Sequence, residues 1–236
     1  MAITGSPSRL YLMQVATYDN GPMPCYLIQT STGANILIDS GLADDAQVPE
    51  GGPALVMGPN VIKQLAMLGL QPSDITMLIC SHFDIDHAGH HAAFTNAEFI
   101  VQRAHYTAAQ IDGRFEGTRA QWSHASLRYR LLDGDTELLP GLKLIETSGH
   151  VIGHQSVLIT LPATGSILLA IDAVDPESFV ADSPTAPRDS DQDSEAARRS
   201  TLKLLDLVQQ ENVALVIFGH DGPQWQELKK LPEYYE

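Results

Sequence analysis

The chain alternates between short apolar runs and stretches in which apolar residues recur every three or four positions. Short apolar or alternating runs that are bounded by Gly, Asn and Ser are typical of β-strands. The pattern predicts strands at residues 10–17, 25–29, 35–39, 75–80, 98–102, 142–146, 156–161, 167–171 and 213–218. A Gly/Pro-rich stretch at 48–59 predicts a mobile loop, and its residues Leu55, Val56 and Met57 could form an apolar lid, a loop anchored to the domain or a dimer contact.

Four segments have the period of amphipathic helices: 61–70, 104–111, about 194–210, and 225–231. Ser194 is the expected N-cap of the long helix, with Glu195 in its first turn. The stretch at 176–192 is rich in Pro, Ser and Asp and predicts a loop. Each half of the chain gives strands followed by a helix. We therefore predict one α/β domain over residues 1–236, a four-layer αβ/βα sandwich of two facing sheets with outer helices.

Composition narrows the classes of function. The 236 residues are 44% hydrophobic and have a net charge of −15. A surface this negative repels nucleic acid and anionic lipid, so we expect neither as a partner. Cys25 and Cys80 are the two cysteines, which argues against a disulfide framework and a thiolate zinc site. Because no signal peptide or transmembrane span is visible, we expect a soluble, cytoplasmic protein.

Side chains that could bind a metal or take part in catalysis concentrate directly after the predicted strand at 75–80. His82, Asp84, Asp86 and His87 are four ligand-type side chains within six positions. The C-terminal ends of strands are where α/β sheets tend to place their sites. Neutral imidazole and carboxylate bind divalent metals such as zinc, iron and manganese. A polar surface loop with incidental histidines is the simpler alternative, and the recurrence of the pattern downstream argues against it.

Three further ligand-type residues, His150, Asp172 and His220, each follow a predicted strand. With the first group they make four histidines and three aspartates, which is enough for two metals that share a bridging carboxylate. Two such metals can bind a hydroxide between them and polarise the group that it attacks. The sequence therefore predicts a dinuclear metal centre.

These motifs resemble those of the metallo-β-lactamase superfamily, and the resemblance covers almost the whole chain. It rests on H-x-D-x-D-H at 82–87, G-H-x-x-G-H at 149–154 and L-I-D-S-G at 37–41. Within the superfamily, V-Q-R-A-H-Y at 101–106 and G-H-D at 219–221 resemble the N-acyl-homoserine lactonase branch. The resemblance implies the metallo-β-lactamase fold and a metal-dependent hydrolase of the lactonase type.

The resemblance also implies a role for each residue. The first metal would be bound by His82, Asp84 and His150. The second would be bound by Asp86, His87 and His220, with Asp172 bridging the two. Asp86 would also be catalytic, as the proton shuttle to the leaving alkoxide. Asp39 and His154 would orient ligands, although a role in bracing loops explains them equally well.

Two positions differ from the family pattern. Asp84 stands where most relatives have His, which lowers the positive charge of the centre and favours iron or manganese over zinc. Asp175 stands where lactonases of this type carry a tyrosine that helps to hold the substrate carbonyl. An ionised carboxylate cannot donate that hydrogen bond. Lactone opening would then depend on metal polarisation alone, or on another donor such as Tyr106.

We expect the protein to open a lactone ring, first of all that of N-acyl homoserine lactones, which is quorum quenching. The alternatives are a metallo-hydrolase of another ester, lactone or thioester, a carboxylate-rich di-iron redox protein, and a non-catalytic metal-binding protein. The expected cofactors are two divalent ions, zinc first, with iron, manganese or cobalt as alternatives. The expected partner is a small-molecule lactone, and a homodimer is left open. The remaining histidines are expected at the surface or behind the ligands: His90, His91, His105 and His124.

Overall fold

A computed structural model of the chain describes residues 4–47, 51–180, 188 and 190–236. The strands in this part of the chain are β1 (Pro7–Tyr18), β2 (Gly21–Thr30), β3 (Asn35–Ile38), β4 (Leu55–Met57), β5 (Ile75–Ile79), β6 (Glu98–Gln102), β7 (Arg128–Leu132), β8 (Thr136–Leu139), β9 (Leu142–Glu146), β10 (Gln155–Leu161), β11 (Gly165–Ile171) and β12 (Leu215–Phe218). The helices are α1 (Val61–Met67), α2 (Arg103–Ala109), α3 (Arg119–Trp122), α4 (Pro176–Val180), α5 (Ser194–Gln210) and α6 (Gly222–Glu227).

The strands form two mixed sheets. The seven-stranded sheet has the order β4-β1-β2-β3-β5-β6-β7, and the five-stranded sheet has the order β12-β11-β10-β9-β8. In the first sheet β3, β5, β6 and β7 pair in parallel, and in the second β11 and β12 do so. Parallel neighbours point their C-terminal ends to the same edge, so the loops that follow them lie close together.

Alternating apolar residues give each sheet two buried faces. In β1, Leu10 and Leu12 belong to a core that both sheets share, whereas Tyr11 and Met13 pack towards α1 and α3. The same alternation in β10 and β11 directs one face to the shared core and the other to α5. Because side chains in a strand alternate between faces, this pattern requires helices outside both sheets. The predicted four-layer α/β sandwich is confirmed.

The structure corrects the sequence prediction in four segments. Residues 55–57 form the edge strand β4, paired with Ala16–Tyr18 of β1, and are not a mobile lid; residues 48–50 lie outside the described part. Residues 176–180 form α4, so the predicted loop at 176–192 is wrong at its start; residues 181–187 and 189 also lie outside. The N-cap of α5 is Asp193, whose side chain accepts from the Ala196 N–H, and not Ser194. The last helix begins at Gly222 and ends at Glu227.

Two strands, β7 and β8, were missed because their charged residues obscure the apolar pattern. No helix in the described ranges is long and apolar enough to cross a membrane. The segments after β5, β9, β11 and β12 carry all seven predicted metal ligands.

Candidate metal centre

The segment after β5 folds into a turn that presents its histidines and aspartates to one point. The N–H groups of His87 and Ala88 donate to the Asp84 carbonyl at 3.0 and 3.1 Å, which closes the turn. The Ser40 N–H donates to the His87 carbonyl at 2.8 Å, which ties the turn to the loop after β3. This packing directs His82 and His87 inward, and both side chains are almost completely buried.

The other ligand-type residues come from the second sheet, where glycines permit close approach. A Cβ atom on Gly149 would lie 2.3 Å from the Ala197 backbone, so only glycine lets the loop that carries His150 pack on α5. A Cβ atom on Gly219 would lie 2.6 Å from an Asp172 carboxylate oxygen, so the residue before His220 must also be glycine. Ile171 has a φ of 55°, which is rare for a β-branched residue and turns the chain just before Asp172.

The structure brings all seven residues together in two groups around Asp172. The ligand atoms of His82, Asp84 and His150 lie within 4.8 Å of one another, and so do those of Asp86, His87 and His220. The Asp172 carboxylate lies between the groups. Its Oδ2 atom is 3.6 Å from His82 Nε2 and 3.4 Å from His87 Nε2. Its Oδ1 atom is 3.2 Å from His220 Nε2.

The unpaired atoms of this cluster fit metal cations. His82 Nε2, His87 Nε2 and Asp172 Oδ1 are buried and make no hydrogen bond within the described chain. The opposite ring nitrogens do have partners, which fixes the orientation of the rings. His87 Nδ1–H donates to Asp39 at 2.9 Å, and His220 Nδ1–H donates to the Pro22 carbonyl at 2.8 Å. Imidazoles held in this way have a free lone pair on Nε2, as metal binding requires.

The charges of the cluster also favour the binding of cations. Burial raises the pKa of Asp172, but His220 and His87 hold it well below its usual range, so the carboxylate stays ionised. Burial lowers the pKa of His87, but Asp86 and Asp172 raise it well above its ordinary value. The pKa of His220 is raised to about 9 because Asp172 outweighs burial. A cluster that draws protons onto its histidines is negative enough to bind cations in their place.

Two of the residues predicted to support the ligands do contact them. Asp39 is buried and accepts hydrogen bonds from the N–H and hydroxyl of Ser81 as well as from His87. His154 Nε2 accepts from the Asp172 N–H at 3.4 Å, and its Nδ1 atom is 2.8 Å from the Thr147 hydroxyl.

The other two support residues lie elsewhere. Tyr106 packs against the rings of Tyr129 and Trp122, with ring centroids 4.7 and 6.3 Å away. Asp175 accepts from the Ser178 N–H at 2.7 Å at the start of α4. The side chain of Asp175 therefore caps a helix and also faces the cavity beside the cluster.

Several residues that lie near the ligand cluster were not predicted from the sequence to do so. Arg114 contacts both Asp84 and His150. Asp191 lies 3.7 Å from His150 Nδ1, with its side chain 2% exposed, although an acidic run before a helix indicates surface. His91 and His105 are buried: His91 Nδ1 lies 2.7 Å from the Ser40 hydroxyl, and His105 Nε2 accepts from the Phe83 N–H. The motif at 101–106 includes His105, whereas no signal in the sequence separates Arg114 or Asp191 from ordinary surface residues.

A cavity of about 700 Å³ opens beside the second group. Its apolar lining includes Ile171, Val174 and Phe218, and Asp172 and His220 also line it. The other charged residues of the lining are mainly acidic: Asp19, Asp175, Glu177 and Asp221, with Arg188 as the basic one. The cavity therefore suits a neutral molecule with an apolar part.

Comparison with known proteins is consistent with this geometry. The model of the metallo-beta-lactamase superfamily matches residues 19–220. The chain belongs to the metallo-beta-lactamase superfamily. This confirms the resemblance drawn from the motifs at 82–87 and 149–154.

Within the superfamily, the chain is similar to N-acyl homoserine lactonases. It is 37% identical over 225 residues to the enzyme of a Bacillus species, over 90% of this chain and 86% of that protein. It is 35% identical over 227 residues to N-acyl homoserine lactonase AiiA of Bacillus thuringiensis subsp. kurstaki, over 91% of this chain and 87% of AiiA.

A solved structure of an N-acyl homoserine lactone hydrolase carries the product N-hexanoyl-L-homoserine at its catalytic metal centre. This chain superposes on it with a TM-score of 0.85 and 30% identity, over 98% of this chain and 100% of that one. The predicted superfamily branch is confirmed by these relatives.

Proposed function

We propose that the protein is a metal-dependent lactonase that opens the ring of N-acyl homoserine lactones. The observation that carries this proposal is the pair of ligand groups around Asp172, which together with His220 lines a cavity that has an apolar wall. The similarity to N-acyl homoserine lactonases over about nine-tenths of the chain supports the same substrate.

We assign His82, Asp84 and His150 to one metal ion and Asp86, His87 and His220 to the other, with Asp172 shared. Two divalent ions in these positions would supply a nucleophile at neutral pH by lowering the pKa of water, and would polarise the lactone carbonyl. Zinc suits the four imidazoles, and the three carboxylates also suit iron, manganese or cobalt.

We assign the proton transfer to Asp86. Its carboxylate lies 3.4 Å from His87 Nε2 and 3.5 Å from His220 Nε2, and its side chain is 14% exposed. Burial raises the pKa of Asp86, but the charge of His87 lowers it below the ordinary value, so the group is ionised at neutral pH. An ionised carboxylate beside the reacting atoms can take a proton from water and pass it to the ring oxygen that leaves.

The cavity suits both binding of the substrate and release of the product. The lactone is neutral, and its acyl chain can lie along Val174 and Phe218. Opening the ring creates a carboxylate, which Asp175 and Glu177 repel across the cavity. The acidic wall therefore favours release of the product over its retention.

The test is turnover of a substrate panel together with metal analysis of the same samples. We expect the parent protein to prefer acyl-bearing lactones over simple esters and phosphodiesters. His150→Ala and His220→Ala should each lose most of the activity and lower the metal content, because each removes a ligand from one group. His124→Ala is the matched control, since His124 is exposed and pairs with Ser126.

Full turnover in both ligand variants would contradict the assignment of the metal ligands. A phosphodiester that reacts faster than every lactone would contradict the proposed substrate.

A further inference from the structure

Arg114 lies against one of the two ligand groups and makes that group different from the other. It belongs to a 3-10 helix, Gly113–Thr118, that begins after Asp112. Its Nε donates to Asp84 Oδ1 at 2.7 Å and its Nη2 donates to Asp84 Oδ2 at 2.5 Å. Its Nη1 donates to the Ser190 carbonyl at 3.1 Å, and 28% of its side chain is exposed. The guanidinium is therefore held on three sides.

The same guanidinium reaches a second ligand atom. Arg114 Nη2 lies 3.0 Å from His150 Nε2, the ring nitrogen that also lies 3.2 Å from Asp84 Oδ2. A neutral imidazole has one lone pair, and this contact points a guanidinium N–H at it. Arg114 thus contacts ligand atoms of two of the three residues in this group, Asp84 Oδ2 and His150 Nε2.

The second group lacks such an arginine. Among the described residues, no Lys or Arg side chain forms an ion pair with Asp86 or with Asp172. A further carboxylate stands behind a histidine of each group, Asp39 behind His87 and Asp191 behind His150. The two groups therefore differ in the arginine that pairs with the Asp84 carboxylate of the first.

We propose that Arg114 is a positioning residue that makes the two metal sites unequal, so that the site of Asp86, His87 and His220 fills first and the site of His82, Asp84 and His150 binds its cation more weakly. This inference rests on the proposed dinuclear centre. Arg114 fixes the direction of the Asp84 carboxylate through a bidentate pair, and it lowers the negative charge that this carboxylate offers to a cation.

The expected difference in metal affinity between the two sites follows from the charges near them. A unit positive charge within roughly 5 Å of a divalent ion opposes its binding even where the effective dielectric is high. Near the second site, Arg188 contacts the shared Asp172 only at its backbone carbonyl, 2.6 Å from Nη2, and its charge is paired with Asp191, so no described Lys or Arg forms an ion pair with the carboxylate of Asp86 or Asp172. We therefore expect the two dissociation constants of the parent protein to differ by about tenfold or more.

The experiment is a stepwise titration of metal-free protein with Co²⁺, followed by its absorption spectrum, and with Zn²⁺ against a competing chelator. Arg114→Gln removes the charge and Arg114→Lys retains it. Arg103→Gln is the control, because Arg103 pairs with Asp133 at the exposed surface. His150→Ala and His220→Ala identify the steps: the first should abolish the weak step and the second the tight one.

We expect Arg114→Gln to strengthen the weak step about tenfold and to leave the tight step unchanged, while Arg114→Lys and Arg103→Gln keep the separation. Thermal melting of each metal-free variant shows whether it is folded, and a variant that does not melt cooperatively is replaced by Arg114→Met. Equal constants in the parent, or a weak step that Arg114→Gln does not strengthen, would overturn the proposal.

Lactone turnover at saturating metal separates this proposal from the proposed function. Parent protein without lactonase activity but with two unequal sites would overturn the proposed function and leave the role of Arg114 intact. Active parent protein whose two sites bind metal with equal affinity would overturn the role of Arg114 and leave the proposed function intact.

Discussion

The Asp39→Asn substitution tests how strongly a carboxylate that touches no substrate controls the metal centre. Asp39 is completely buried. Its Oδ1 accepts from the Ser81 N–H at 2.8 Å, and its Oδ2 accepts from the Ser81 hydroxyl at 2.6 Å and from His87 Nδ1 at 2.9 Å. Asparagine keeps the shape and one acceptor, but it places an NH₂ group where Oδ2 now accepts two hydrogen bonds.

The substitution should act mainly through His87. Without an acceptor at Nδ1, the neutral ring can carry its proton on Nε2, the atom that faces Asp172. A ring protonated there cannot bind a metal, and loss of such a supporting carboxylate typically costs 10–100-fold in metal affinity. Each charge-assisted hydrogen bond that is lost also contributes about 1.5–3 kcal/mol. Because the Ser81 hydroxyl can turn and accept from the new amide, we expect a net loss of about 2 kcal/mol of unfolding free energy.

Two measurements check this prediction. Chelator competition gives the metal affinity, and urea unfolding of the metal-free protein gives the stability. Asp133→Asn is the control, because Asp133 is an exposed carboxylate that pairs with Arg103. If Asp39→Asn bound both metals as tightly as the parent and unfolded at the same urea concentration, the role assigned to Asp39 would be refuted.

Three further changes have defined outcomes. Burial lowers the pKa of His91 to about 3, whereas an unfolded histidine titrates near 6.5, so unfolding takes up a proton below that pH and stability is lost as the pH falls. Between pH 7 and 5.5 the parent should therefore lose about 1 kcal/mol more than His91→Asn in urea unfolding, and parallel losses would show that His91 does not contribute. Gly219→Ala should displace Asp172, since the new Cβ would lie 2.6 Å from its carboxylate; metal analysis should show less bound metal, and a full complement would contradict the geometry. Val174→Ala, in the apolar wall of the cavity, should raise KM for long-chain lactones more than for short ones, by about 0.8 kcal/mol per methylene no longer buried, and equal changes would place the acyl chain elsewhere.

The seven candidate metal ligands could be selected from the sequence because they lie in segments that follow predicted strands. His82 follows β5, Asp172 follows β11 and His220 follows β12, and the ends of strands are fixed by local patterns of apolar residues. The family resemblance then divided the ligands into two groups, and the distances agree with that division. This part of the site is encoded locally and needs no knowledge of packing.

The parts that were not predicted depend on contacts between distant segments. Arg114 is 30 residues from Asp84 in the sequence and lies in a short 3-10 helix without apolar periodicity. The edge strand β4 has only three residues and forms because the end of β1 offers it free backbone groups. The partner of His105, the N–H of Phe83, lies 22 residues away in the sequence and meets it only through the packing of α2. Contacts between distant segments determine such features, and the local sequence does not indicate those contacts.

The position of the metal centre between the two sheets has a consequence for how the protein is made. His82 and His87 follow a strand of the first sheet, while His150, Asp172 and His220 follow strands of the second. A chain emerging during synthesis can complete the first sheet before His150 and His220 exist, so the first ligand group is incomplete until β9 has docked and the second until β12 has docked. Metal would then bind late, to chains whose two sheets have already packed together. It would stabilise the folded protein and would not nucleate folding.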